Sequence, residues 1–142
     1  TIVDLSEIYK GQVAASKRGI AVVDKKQVMI RDEIETLGKE TTIRWTMLTP
    51  AEVTIINDHQ ALLTKDGKTL TLDVGKLPNL KMKTWSTDPP NAYDAPNPGT
   101  ILTGFEVTVP ANTKIALNVR LIPGKKGKSN QKNIPALENW KN

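Results

Sequence analysis

From Thr41 to Val74 apolar and polar residues alternate almost without a break. In the segment TTIRWTML, Ile43, Trp45 and Met47 fall on one side of an extended chain and Arg44 and Thr46 on the other. The same period of two returns in VTIIND and TLTLDV. A repeat of two is the repeat of a strand with one buried face, and no stretch of convincing length carries the longer period of a helix.

Turn signals divide the rest of the chain into similar pieces. Asp24, Lys25, Lys26 and Gln27 form a polar connection inside RGIAVVDKKQVMIRDEI, which reads as a hairpin. Its acids Asp32, Glu33 and Glu35 follow on a strand end or loop. Pro50 separates the Trp45 strand from the next, Asn57 and Asp58 suit a turn, and Asp66-Gly67 is a short hairpin signal that needs positive φ. LKMKTW follows, with Leu80 and Met82 on one side and Lys81, Lys83 and Trp85 on the other. From Ser86 to Thr100 the prolines Pro89, Pro90, Pro96 and Pro98 exclude a regular strand or helix and predict a long loop. GFEVTVP, the turn ANTK and IALNVRLIP read as a final hairpin.

This pattern predicts an all-β, antiparallel β-sandwich of about eight to nine strands over residues 1–123, with a closed barrel as the nearest competitor. Residues 124–142 read as a basic, flexible tail, although the LENW near its end could dock. A chain of 142 residues is long enough to bury a core without staples.

Four of the five net positive charges lie in that tail, where Lys125, Lys126, Lys128, Lys132 and Lys141 face only Glu138. The nearly neutral body lacks the basic stripe with interleaved aromatics expected of a nucleic-acid binder, so no nucleic acid is expected. No apolar run approaches the roughly 20 residues of a helical membrane span, and no membrane partner is expected. Without cysteine there is neither a disulfide framework nor a thiolate metal site. The start at Thr1, without Met, suits a piece of a longer polypeptide.

In order along residues 1–122, the phrases DLSEIY, KRGIAVV, VMIRDEIE, IRWTMLTPAEVTI, ALLTKDGKTLTL, PNPGT and GFEVTVPA resemble the C-terminal β-sandwich of heparinase II/III-like polysaccharide lyases. The resemblance implies a parent enzyme in which an α/α toroid binds an acidic polysaccharide and β-sheet domains follow. The parent reaction is β-elimination: a base removes the uronate C5 proton while another group neutralises the neighbouring carboxylate. A Tyr with His and Asn or Glu would do this in segments whose motifs are not matched here. The implied partners are the catalytic domain of the same polypeptide and an acidic polysaccharide, and the implied location is periplasmic or extracellular. An autonomous carbohydrate-binding module is the alternative.

No catalytic residue, metal site or cofactor is expected in this chain. His59, its only histidine, lies in the turn-like NDHQ without a second His or a Tyr beside it. Tyr9 reads as core, with Leu5 and Ile8 on a leading strand, and Trp45 as core with Ile43 and Met47. Glu33 and Glu35 share a face that Asp32 does not, and salt bridges are the default for all three acids. The candidate carbohydrate contacts lie at the proline loop: Trp85 and Tyr93, which bracket it, together with Asp88 and Asp94. Two carboxylates six apart make a poor calcium loop.

Overall fold

The computed structural model describes residues 1–124 and 134–140. Ten strands run in chain order: β1 (Ile2–Asp4), β2 (Val13–Val23), β3 (Gln27–Thr36), β4 (Thr41–Thr49), β5 (Glu52–Asn57), β6 (Gln60–Lys65), β7 (Lys68–Val74), β8 (Lys81–Trp85), β9 (Ile101–Val109) and β10 (Lys114–Pro123). Seven of them form one antiparallel sheet in the order β1-β2-β3-β10-β7-β6-β5, and three form the other in the order β4-β9-β8. The expected sandwich is present, with one or two more strands than the turn count predicted.

Two hairpins follow the sequence closely. Asp24 and Lys25 both take positive φ between Val23 and Gln27, and Asp66 and Gly67 do the same between Lys65 and Lys68. Paired positive φ matches the twist of the flanking strands. The expected final hairpin is not one. β9 pairs with β4 and β8, whereas β10 pairs with β3 and β7, so the Ala111–Thr113 turn is a corner between sheets. Buried Thr36 fixes that corner, its hydroxyl donating to the Pro110 carbonyl (2.7 Å) and accepting from the Thr113 N–H (2.9 Å). A hairpin and a corner carry the same alternation and the same turn residues, so periodicity cannot separate them.

Two further expectations change. The leading strand ends at Asp4, and the chain then turns, leaving Tyr9 42% exposed, not in the core. Asp32 and Glu33 lie inside β3, while Glu35 is its next-to-last residue.

The core lies between the sheets. Trp45, Phe105 and Met82 occupy one row across the three-stranded sheet, and the two aromatic rings stack with centroids 5.8 Å apart. Opposite them lie Leu63, Leu72, Val74, Leu117 and Val119. Gly104 stands beside Thr46 and Lys83 in the ladder, where an added Cβ would meet the Trp45 carbonyl oxygen at 1.9 Å. Backbone cannot yield there as a side chain would.

The segment Ile134–Trp140 is docked, the LENW included; the expected flexible tail otherwise falls on 125–133 and 141–142, which lie outside the described residues. Leu137, only 2% exposed, fills a socket over Gly19 of β2, where a Cβ would come within 2.3 Å of its Cδ2 atom. Its N–H donates to Glu33 Oε1 (2.9 Å), and Arg31 donates both to that oxygen and to the Ile134 carbonyl. Burial opposes ionisation of Glu33, but the Leu137 N–H and the Arg31 guanidinium prevail and hold its carboxyl below the usual value.

Gly104→Ala is expected to lower the unfolding free energy by about 3 kcal/mol or more, while Gly38→Ala, in open space, changes it by less than about 0.5 kcal/mol; urea midpoints measure both. A depressed carboxyl stabilises above its unfolded value and loses that contribution as pH falls through the folded one. Docking of Ile134–Trp140 should therefore be complete above pH 4.5, the ordinary glutamate value, and loosen below it. Acrylamide quenching of Trp140 in a Trp85→Phe background should rise over that range, and Glu33→Gln should show the raised quenching at neutral pH.

Candidate functional site

Because Trp45, Phe105 and Met82 point inward, their neighbours along each strand point out. Register arranges this outer face in three rows: Arg44–Glu106–Lys81, Thr46–Gly104–Lys83 and Leu48–Leu102–Trp85. The Arg44 guanidinium nonetheless lies over the Trp85 indole, 4.9 Å from the ring centroid. Reaching it means crossing the middle row, where Gly104 has no side chain to obstruct the path.

Glu106 holds the cluster together. One carboxylate oxygen accepts from Arg44 at 2.8 Å and the other from Lys83 at 2.5 Å. The Lys83 and Arg44 contacts keep its carboxyl below the usual glutamate value. Lys81, Lys83 and Arg44 thus surround one acid beside an indole, giving an outer face with surplus positive charge. A guanidinium stacked on an aromatic ring and pinned by a carboxylate is ordered before any ligand arrives, and it suits planar anions.

Of the residues anticipated for carbohydrate contact, only Trp85 belongs to this face. Tyr93, 85% exposed, sits on the long loop between β8 and β9. Asp88 accepts from the Ser86 hydroxyl at 2.6 Å, and Asp94 accepts from the Asn91 amide at 3.0 Å, so both carboxylates brace their own loop. Arg44 and Glu106 were not singled out by sequence reasoning. Their relation to Trp85 exists only once β9 is known to lie between β4 and β8. The available signal was the alternation of Lys81, Lys83 and Trp85 on one strand face.

The remaining titratable candidates are dispersed. His59 lies in the β5–β6 turn at one edge of the seven-stranded sheet, its backbone N–H donating to Asn57 Oδ1 and its Nδ1 buried without a partner among the described residues. Tyr9 follows β1 at the opposite edge. Glu33 pairs with Arg31, and Glu35 with Lys114 at 3.5 Å. Among the described residues no group of three His, Cys, Asp or Glu side chains could hold a metal ion.

Asp32 forms the expected salt bridge, but inside the sandwich. Arg18 and Asp32 are ladder partners on the inner face, and Arg18 Nε and Nη2 reach the two carboxylate oxygens at 2.6 and 2.8 Å. The bonds to Asp32 raise the Arg18 pKa further, so the guanidinium stays charged. Its Cζ lies 6.0 Å from the Trp45 ring centroid. Beside this pair, between β2–β3 and edge strand β4, is a cavity of about 300 Å³.

No protein-family model matches this chain, and no curated protein matches it.

Removing one member of a buried ion pair strands the other, whereas replacing both by apolar groups of similar volume is often neutral. Asp32→Ala should therefore cost about 2–4 kcal/mol, and Arg18→Met with Asp32→Leu should recover most of the loss in urea unfolding. Equal stability of Asp32→Ala and the unaltered chain would contradict a structural role for the pair.

Proposed function

We propose that this chain is a non-catalytic β-sandwich domain of the kind that follows the toroid in heparinase II/III-like polysaccharide lyases, and that its three-stranded face contacts acidic polysaccharide. The serial likeness of residues 1–122 motivates the parentage. The observation that carries the polysaccharide contact is the Arg44–Trp85 stack, with Lys83 and Lys81 beside it on one exposed face. Uronate carboxylates and sulfate esters are planar or clustered anions that a fixed guanidinium accepts well.

A supporting role also agrees with the scatter of Tyr9 and His59 to opposite edges of the larger sheet, since an elimination base and its partner must meet within hydrogen-bond reach. The proposed partners are the catalytic domain of the same polypeptide and its polymer, in a periplasmic or extracellular setting. A second reading, an autonomous carbohydrate-binding module, is favoured by the same stack. The two differ in what Trp85 does: a module depends on the indole as a sugar platform, whereas a supporting face depends on its cations.

On immobilised heparin, Arg44→Ala and Lys83→Ala should elute at lower salt than the unaltered chain, and Glu106→Gln, which releases both cations, at higher salt. Loss of all retention on Trp85→Ala alone would favour the module. Identical elution of every variant would remove polysaccharide contact from this face. Incubated with heparan sulfate, hyaluronan or alginate, the chain should release no unsaturated uronate absorbance; robust release would refute the non-catalytic role.

A further inference from the structure

The interior cavity lies in the space between the sheets and runs along β4 from Thr41 to Trp45, so that Arg44 borders it as well as the stack with Trp85. Leu5, Ile34 and Leu117 give it apolar walls, and Tyr9 and Arg18 stand in its lining with 42% and 38% of their side chain or residue surface exposed, so solvent reaches it from their side. At about 300 Å³ it falls at the lower end of small-molecule sites, roughly 300–1,000 Å³, which limits an occupant to about one ring.

Besides Gln12, Ser16, Thr41 and Thr42, its lining holds three donors with capacity left over. Arg18 uses Nε and Nη2 on Asp32, and Nη1 has no partner among the described residues. Trp45, 5% exposed and also in the wall, carries a buried indole N–H that no acceptor among the described residues meets. The Tyr9 hydroxyl has no partner among the described residues either. Strand β4 is an edge strand, so its unpaired backbone along Thr41–Trp45 borders the same space. The carboxylate in the lining, Asp32, is already engaged by Arg18.

An unpartnered buried N–H costs free energy that an acceptor would recover. A guanidinium N–H prefers an ionised acceptor, and the apolar walls disfavour a polyhydroxylated body. We propose that this cavity is a binding site for a small monocarboxylate with an apolar body of one ring, the carboxylate meeting Arg18 Nη1 and the Tyr9 hydroxyl and the ring lying between Ile34 and Leu117. Arg44 borders both this site and the polysaccharide face, but the ligand, its proposed contacts and the residue that reports it differ, so either proposal can fail without the other.

The test is a titration of the full chain, ¹⁵N-labelled, with benzoate and cyclohexanecarboxylate, reading the Trp45 indole resonance assigned with Trp85→Phe and Trp140→Phe. The resonance should move saturably with an apparent Kd at or below about 1 mM. Methyl benzoate, without the charge, should bind at least about tenfold more weakly. Tyr9→Phe, at an exposed position that leaves the fold intact, should weaken binding about threefold to tenfold. Ile34→Phe, which fills the cavity, should abolish it. Absence of a saturable Trp45 shift, equal binding of the methyl ester, or an undiminished shift in both variants would each overturn the proposal.

Discussion

Three strands span about 10 Å between the axes of the outer two, and seven span about 29 Å. The smaller sheet of this sandwich therefore cannot cover the larger one, and most of what distinguishes the molecule follows from that mismatch. Where β4 and β9 face β10 and β7, the inner surfaces are apolar and closely packed around Trp45 and Phe105. Where β2 and β3 extend past edge strand β4, the inner face changes character. Arg18 and Asp32 stand there in place of aliphatic residues, and the Leu5–Gln12 turns fold beside the gap without filling it. An ion pair is tolerated at this place because each charge is matched at two atoms and the guanidinium still reaches solvent.

The other side of the same strands is treated differently. Gly19 lacks a side chain on the outer face of β2, and Leu137 with Trp140 occupies the space. Glu33 and Arg31 satisfy the backbone of the arriving segment, so the contact joins apolar shape to specific hydrogen bonds. A second glycine does related work on the smaller sheet. Gly104 clears a path across the middle row, along which Arg44 reaches Trp85, while Glu106 fixes both nearby cations. In each case one absent Cβ allows a long side chain to settle where an ordinary strand residue would exclude it.

Much of this architecture was legible from residue order. The alternation through Ile43, Trp45 and Met47 identified an inward face correctly, and Asp66-Gly67 identified its hairpin, because both signals are local. The Lys81, Lys83 and Trp85 face was readable for the same reason. The corner at Ala111–Thr113 was not, since the choice between pairing β10 with β9 or sending it across to β3 depends on contacts remote in sequence, Thr36 among them. Tyr9 was misjudged because an apolar cluster at Leu5, Ile8 and Tyr9 carries no mark of the turn that ends β1 at Asp4.

The sequence by itself determined that the chain forms strands with one apolar face each, where several of its tight turns fall, and that its net charge concentrates toward the C-terminus. Tertiary structure alone decided which strands became neighbours. That decision brought Arg44 to Trp85, enclosed Asp32 with Arg18 beside a cavity, and seated Leu137 on Gly19. Periodicity is a property of consecutive residues, whereas each of these associations joins residues from different strands or segments through sheet order and register, and those are set by packing of the whole.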